Sequence, residues 1–142
     1  MGIDSTYPIW LANLLAKGLV HDPLSKTAAV NNISAVRQRL RAAARDVAAL
    51  DTSEMGRDGV SKWLLSLSID PRTTVVLLWP SDRVGAHIRY DEFAKNYDEL
   101  WFPSTDDVWL LDPASDWILE LDHEELFTLR RAQKLSGDWS ET

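Results

Sequence analysis

The run Thr73-Thr74-Val75-Val76-Leu77-Leu78-Trp79 restricts what this chain can become more than any other stretch. It opens on β-branched residues, is apolar on both faces and is stopped by Pro80, which cannot donate to a sheet ladder. Such a run reads as a buried strand in the middle of a sheet. Helical signals precede it and strand signals follow it.

Thr6-Tyr7-Pro8 offers a hydroxyl cap and a proline for a first turn, and Ile9, Trp10, Leu14 and Leu15 share a helical face ahead of Gly18. Asp22-Pro23 repeats the start signal. Ile33, Val36, Leu40, Ala43, Val47 and Leu50 alternate steps of three and four, which predicts one long helix. Arg37, Arg41 and Arg45 stack as a basic stripe on another of its faces, either paired internally or serving as an interface. Val60, Trp63, Leu64 and Leu67 predict a further helix to about Leu67, although Leu65, Leu67 and Ile69 fit a strand equally well; Asp70-Pro71 ends it.

Beyond the central strand, Ala86 to Arg89 reads as an extension or an edge. Tyr90, Phe93, Tyr97 and Leu100 or Trp101 recur at helical intervals until Pro103. Val108–Asp112 and Trp117–Asp122 alternate around the turn Asp112-Pro113-Ala114-Ser115-Asp116, which predicts a hairpin with Trp117, Leu119 and Leu121 on a dry face and Ile118, Glu120 and Asp122 on an acidic one. Leu126 to Arg131 continues as an extended segment. Helices first and strands afterwards predict an α+β domain, the N-terminal helices packed on one face of a three- to five-stranded, mainly antiparallel sheet. One domain over 1–142 is expected, with a helical half at about 5–68, a sheet half at about 72–131 and a loose tail at 132–142.

Charge is distributed unevenly. Between Tyr90 and Glu125 twelve acids face one base, Lys95, whereas the chain carries −7 in total, so the remainder is about +4. The sequence pI near 4.8 disfavours direct nucleic-acid binding, since a phosphate backbone needs Lys and Arg to replace its counterions. The chain has no cysteine, which excludes disulfides and thiol chemistry and fits a reducing cytoplasm. No apolar run reaches the ~20 residues a bilayer span requires, and no basic-then-apolar leader opens the chain.

Catalytic constellations are weakly marked. Asp106 and Asp107 with His123 and Glu124 supply ligand types for a metal-dependent hydrolase, but without HExxH, HxH or a glycine-bracketed carboxylate loop. Ser104 and His123 lack a GxSxG turn, and no glycine-rich phosphate loop occurs. The expectation is therefore no catalytic residue, no metal and no cofactor. His87 has no partner at ligand spacing in the sequence.

The segment Phe93…Tyr97-Asp98-Glu99-Leu100-Trp101-Phe102-Pro103-Ser104-Thr105-Asp106-Asp107-Val108, with Trp117 and His123-Glu124-Glu125-Leu126-Phe127 through Arg130-Arg131, resembles a pattern in small, mostly uncharacterised bacterial proteins. There an aromatic-acidic helix leads to a Pro-Ser-x-Asp-Asp-Val turn and a His-Glu-Glu strand, and some members resemble immunity proteins of polymorphic toxins. The resemblance is confined to the C-terminal half and transfers no catalytic residue. With the charge pattern, it implies an acidic binding protein, a monomer or weak dimer, that neutralises a basic partner such as a nuclease-like toxin by covering its cationic site. The residues expected at that contact are Asp98, Glu99, Trp101, Asp106, Asp107, Asp112, Asp116, Glu120, Asp122, Glu124 and Glu125. Alternatives are a nucleic-acid mimic that blocks a DNA-binding protein, the hydrolase built on Asp106, Asp107 and His123, and an acidic domain whose charge only keeps it in solution.

Overall fold

The computed structural model describes residues 7–42, 44–101 and 107–131. Four helices, α1 (Ile9–Ala16), α2 (Lys26–Ala42), α3 (Arg57–Ser66) and α4 (Tyr90–Leu100), accompany six strands. The strands are β1 (Arg45–Asp51), β2 (Thr74–Trp79), β3 (Val84–Arg89), β4 (Val108–Leu111), β5 (Trp117–Leu121) and β6 (Leu126–Arg131). They form one sheet in the order β1-β6-β5-β4-β2-β3 with every neighbouring pair antiparallel. The class is α+β, with one strand more than the upper end of the expected range.

The extra strand comes from the segment whose spacing predicted helix. Helix α2 stops at Ala42, and Val47 and Leu50 lie in β1 rather than on a continuing heptad. Their three-residue spacing fits a helix and puts them on opposite faces of a strand. Pairing with β6 decides the matter, because it satisfies the backbone and packs Ala48 and Leu50 against the core. A register shift between Asp46 and Ala48 leaves Val47 49% exposed. The basic stripe is split with it: Arg37 and Arg41 stay on α2, and Arg45 opens β1. Ala43 lies outside the described residues.

Helices cover both faces of the sheet, not one. Val75, Leu77, Trp79, Leu110, Trp117, Leu119 and Phe127 pack with Leu11 and Leu14 of α1, Val60 and Leu64 of α3, and Phe93 and Tyr97 of α4. The alternate residues Val76, Leu78, Trp109, Leu111 and Ile118 pack with Ala28, Ala29, Ile33 and Val36 of α2. Ile33 and Val36 of α2 therefore do not meet the dry-face residues Trp117, Leu119 and Leu121, since those side chains lie on opposite faces. For the same reason the second face of the hairpin is apolar around Ile118 and Trp109, with Glu120 as the single acid on β5.

Local signals place the ends. Gly18 takes φ +73°, the left-handed stop after α1. Helix α2 starts later than Asp22-Pro23 suggests: Ser25 Oγ accepts from Ala28 N at 3.1 Å and caps it. Between α1 and α2, His21 exchanges two main-chain bonds of 2.8 Å with His87, and Leu24 N donates to Gly85 O at 2.9 Å. This segment closes the β3 edge of the sheet. Gly85 permits the closeness, as a Cβ there would lie 2.8 Å from Leu78 Cδ2 and 2.9 Å from Leu24 Cδ1. No described strand pairs with the outer side of β1. The expected tail 132–142 lies outside the described residues.

Trp117 joins the layers: it is 6% exposed and meets Tyr90 edge-on at 6.3 Å. Trp117→Ala is expected to cost about 3–5 kcal/mol in a denaturant melt. A loss under about 1 kcal/mol would show that the indole does not pack as described.

Candidate functional site

The acids expected to form one surface are divided between two ends of the sheet. Strands β4 and β5 run between those ends, which lie roughly 15 Å apart at about 3.3 Å per residue. Asp112 and Asp116 flank the β4–β5 turn at one end. Asp107 and the segment Asp122–Glu125 lie at the other, where α4 also finishes with Asp98 and Glu99.

At the first end the carboxylates are engaged. Asp112 Oδ1 accepts from Ala114 N at 3.0 Å, and its Oδ2 accepts from Ser115 Oγ at 3.1 Å, so this side chain builds the turn. Asp116 pairs with Arg131. Glu120 sits farther in, with its side chain 14% exposed; it accepts from Trp109 Nε1 at 2.8 Å and from Arg130 Nη1 at 2.7 Å. Arg130 continues to Asp46 at 3.0 Å, which links β4, β5, β6 and β1 by side chains on one face. The Arg37 guanidinium lies 5.8 Å from the centre of the Trp109 ring. Glu120 is thus a structural acid.

The second end has a different character. The β5–β6 turn is fixed from several sides. Asp122 Oδ1 accepts from Glu124 N at 2.8 Å and Leu126 N at 3.1 Å, and Glu125 adopts φ +68°. The Glu125 carbonyl accepts from both Thr52 N and Thr52 Oγ1 at 2.9 Å, which ties the turn to the 3-10 turn Thr52–Glu54. Asp107 Oδ1 accepts from His123 N and from His123 Nδ1, each at 3.1 Å. That hydrogen bond holds the imidazole pKa above its ordinary 6.5, opposed by desolvation and supported by the charges of Asp107, Glu124 and Asp122. In α4, Asn96 leaves helical geometry (φ −118°, ψ 18°) and its Nδ2 donates to Glu92 O at 3.0 Å. This bends the last turn, which carries Asp98 and Glu99.

Asp98 pairs with Arg57 at 3.4 Å. Glu99, Glu124 and Glu125 are exposed and form no ion pair with any described residue. The negative end of the α4 dipole adds to their field. Trp101, expected at the contact, is 7% exposed and belongs to the core. Asp106 lies outside the described residues. Among the described residues no group of three or more His, Asp or Glu side chains is arranged to hold a metal ion. No helix among them is long and apolar enough to cross a membrane.

Sequence reasoning missed the contribution of the α2–α3 connection. Thr52 and Glu54 reach this end because β1 is a strand, a consequence hidden once 45–51 reads as helix. The surface of the described residues also carries hollows, three of which are lined as follows. The larger two hold about 630 Å³ beside Asp70, Asp112, Asp116 and Arg131, and about 610 Å³ between α3 and α4 beside Arg57, Ser61 and Lys95. A smaller one of about 190 Å³ lies by Val47, Leu129 and Trp117. Comparison with protein-family models, curated proteins and solved structures finds no match to this chain.

Glu120→Ala is expected to destabilise the fold by about 2–3 kcal/mol, because it strands the Trp109 N–H and one side of Arg130. Asp116→Asn should cost less than about 1 kcal/mol, since that pair is exposed. Paired denaturant melts test the contrast; equal losses would remove the distinction between the two acids. The His123 pKa is raised on folding, so its contribution to stability is present below the unfolded imidazole value and fades as pH rises through the folded one. Asp107→Asn should lower the His123 titration midpoint followed by NMR, and an unchanged midpoint would show that the contact is not made in solution.

Proposed function

We propose that the chain is an acidic, cytoplasmic binding protein that neutralises a basic partner, as an immunity protein does when it covers the cationic cleft of a nuclease-like bacterial toxin. The observation that carries this reading is the end of the sheet that gathers Glu54, Asp98, Glu99, Asp107, Asp122, Glu124 and Glu125, of which Asp98 pairs with Arg57 and Asp107 with His123. Glu99, Glu124 and Glu125 stay exposed and form no ion pair with a described residue. A nuclease must hold phosphates in a positive cleft, and a rigid negative end suits occupation of that cleft. Opposite potentials accelerate encounter, which an inhibitor of a toxin requires.

Rigidity separates this surface from a solvated acidic patch. Backbone and side-chain bonds fix the β5–β6 turn, so little conformational freedom is left to lose on association. The turn also holds a non-glycine residue, Glu125, in the left-handed region, which costs roughly 1–2 kcal/mol. A glycine there would relieve that strain, so a glutamate at this position fits a role for its charge. Asp112, Asp116 and Glu120 are assigned to the fold rather than the contact, given their bonding at the opposite end and on the α2 face.

Partner capture from the source cell, followed by association kinetics at low and moderate salt, tests the reading. Glu99→Gln, Glu124→Gln and Glu125→Gly combined should melt at or slightly above the parent temperature. The same variant should associate about tenfold more slowly at low salt, with a shallower salt dependence. Unchanged kinetics in a well-folded variant would place the contact elsewhere and end this assignment.

A further inference from the structure

The acidic end also carries an exposed apolar side chain, which charge does not explain. Met55 closes the 3-10 turn Thr52–Glu54, where its N–H donates to Thr52 O at 3.2 Å, and it is 45% exposed. Its side chain lies against Gly59 in the first turn of α3; a Cβ on that glycine would come within 3.3 Å of the Met55 sulfur. The thioether therefore rests on the helix surface and belongs to neither core cluster. On one side of it, Thr52 holds the Glu125 carbonyl through its N–H and its hydroxyl. On the other, Arg57 donates from Nη2 to Lys95 O at 3.1 Å and places Nε 3.4 Å from Asp98. Residues 52–57 thus tie the β5–β6 turn to the second half of α4. Met55 stands within that tie, between the element bearing Glu124 and Glu125 and the one bearing Asp98 and Glu99.

Carboxylates and a thioether do different work in an association. Exposed acids set the encounter rate and its salt dependence, and they add little to the lifetime of a complex. Lifetime comes from a few desolvated side chains at the centre of a contact, enclosed by a polar rim. An unbranched methionine adapts to irregular apolar surfaces, and its polarisable sulfur favours the edges of aromatic rings. A surface of cations alone would match the acids and set charge against the thioether. A surface that interleaves aromatic groups with its cations satisfies both.

We propose that Met55 is the apolar anchor of the acidic end, and that it meets a basic protein surface presenting an aromatic side chain among its arginines or lysines. This assignment rests on reading the acidic end as a partner contact, and it adds the chemistry that the centre of the contact must have. The acids around Met55 form the rim, and the turn bonds that fix Thr52 and Glu125 hold anchor and rim in one arrangement. Val47 and Leu65 are also exposed but lie outside this framework, in the first half of β1 and the last turn of α3.

Two peptides of equal charge, Arg-Trp-Arg-Trp-Arg-Trp and Arg-Gly-Arg-Gly-Arg-Gly, test this on the full chain by NMR titration at low salt. The chain has two methionines, so the Met55 methyl signal is the one missing from the Met55→Leu spectrum. The tryptophan peptide should bind about tenfold more tightly than the glycine peptide and shift that methyl upfield. Met55→Gln, which keeps the length of the side chain, should bring the two affinities within about twofold of each other, and Met55→Leu should keep the preference. Leu65→Gln should leave the preference intact. Equal affinities for the two peptides in the parent chain, or a preference that survives Met55→Gln, would overturn the anchor. So would a preference lost in Leu65→Gln, or self-association in light scattering that Met55→Gln abolishes, since a second copy would then be the occupant. Failure of the underlying reading has its own signature. Neither peptide would then bind more weakly to the combined Glu99, Glu124 and Glu125 variant, which would remove the acidic end as a contact and the anchor with it.

Discussion

Strands β2 and β4 are apolar on both faces, and the rest of the architecture follows from having to cover them twice. Val75, Leu77 and Trp79 need one layer of side chains; Val76 and Leu78 need another. A single helical layer would leave the second set in water, at about 25 cal/mol for each Å² of apolar surface left exposed. Helix α2 supplies that second layer with small residues, Ala28 and Ala29 beside Ile33 and Val36, which allow close approach to the sheet. The chain must cross from one face to the other between α1 and α2. Its crossing segment, His21 to Leu24, also closes the β3 edge.

The two sides of the sheet are built differently. The face bearing α1, α3 and α4 is an aromatic core in which Phe127 meets Trp63, Phe93 and Tyr97 within 5.8–6.3 Å. Burial raises the pKa of Tyr90, whose hydroxyl donates to Leu64 O at 2.7 Å, so the phenol stays neutral and joins α4 to α3. The α2 face grows polar toward β1, where Trp109, Glu120, Arg130 and Asp46 form a hydrogen-bonded chain across four strands. Satisfied polar groups can register strands there because every member has a partner.

Much of the architecture was legible in the residues. The central strand, the hairpin with its five-residue turn, the helix from Tyr90 and the stop at Gly18 all rest on local chemistry that needs no tertiary context. What failed was decided at long range. Val47 and Leu50 continue a helical spacing in the sequence, and only pairing with β6, about eighty residues onward, turns them into strand. The one-sided sheet was a failure of inference more than of signal, since a run apolar at successive positions already implies two covered faces. The site was legible as charge but not as geometry. Acids only six residues apart, Asp116 and Asp122, reach opposite ends of a strand, and composition holds no trace of that separation.

Bonding, rather than count, ranks the acids. A carboxylate that caps a turn or pairs with arginine already spends its field inside the molecule, and moving it into an interface would break what it holds together. Asp112, Asp116, Glu120 and Asp122 are of this kind, and they make the strands and turns register. Glu99, Glu124 and Glu125 hold no described partner, so their charge projects outward from a turn that those internal acids keep rigid. The bound acids thus give the free ones a fixed geometry. A fixed set of unpaired charges can match a partner's potential at a defined spacing, which a mobile acidic tail cannot.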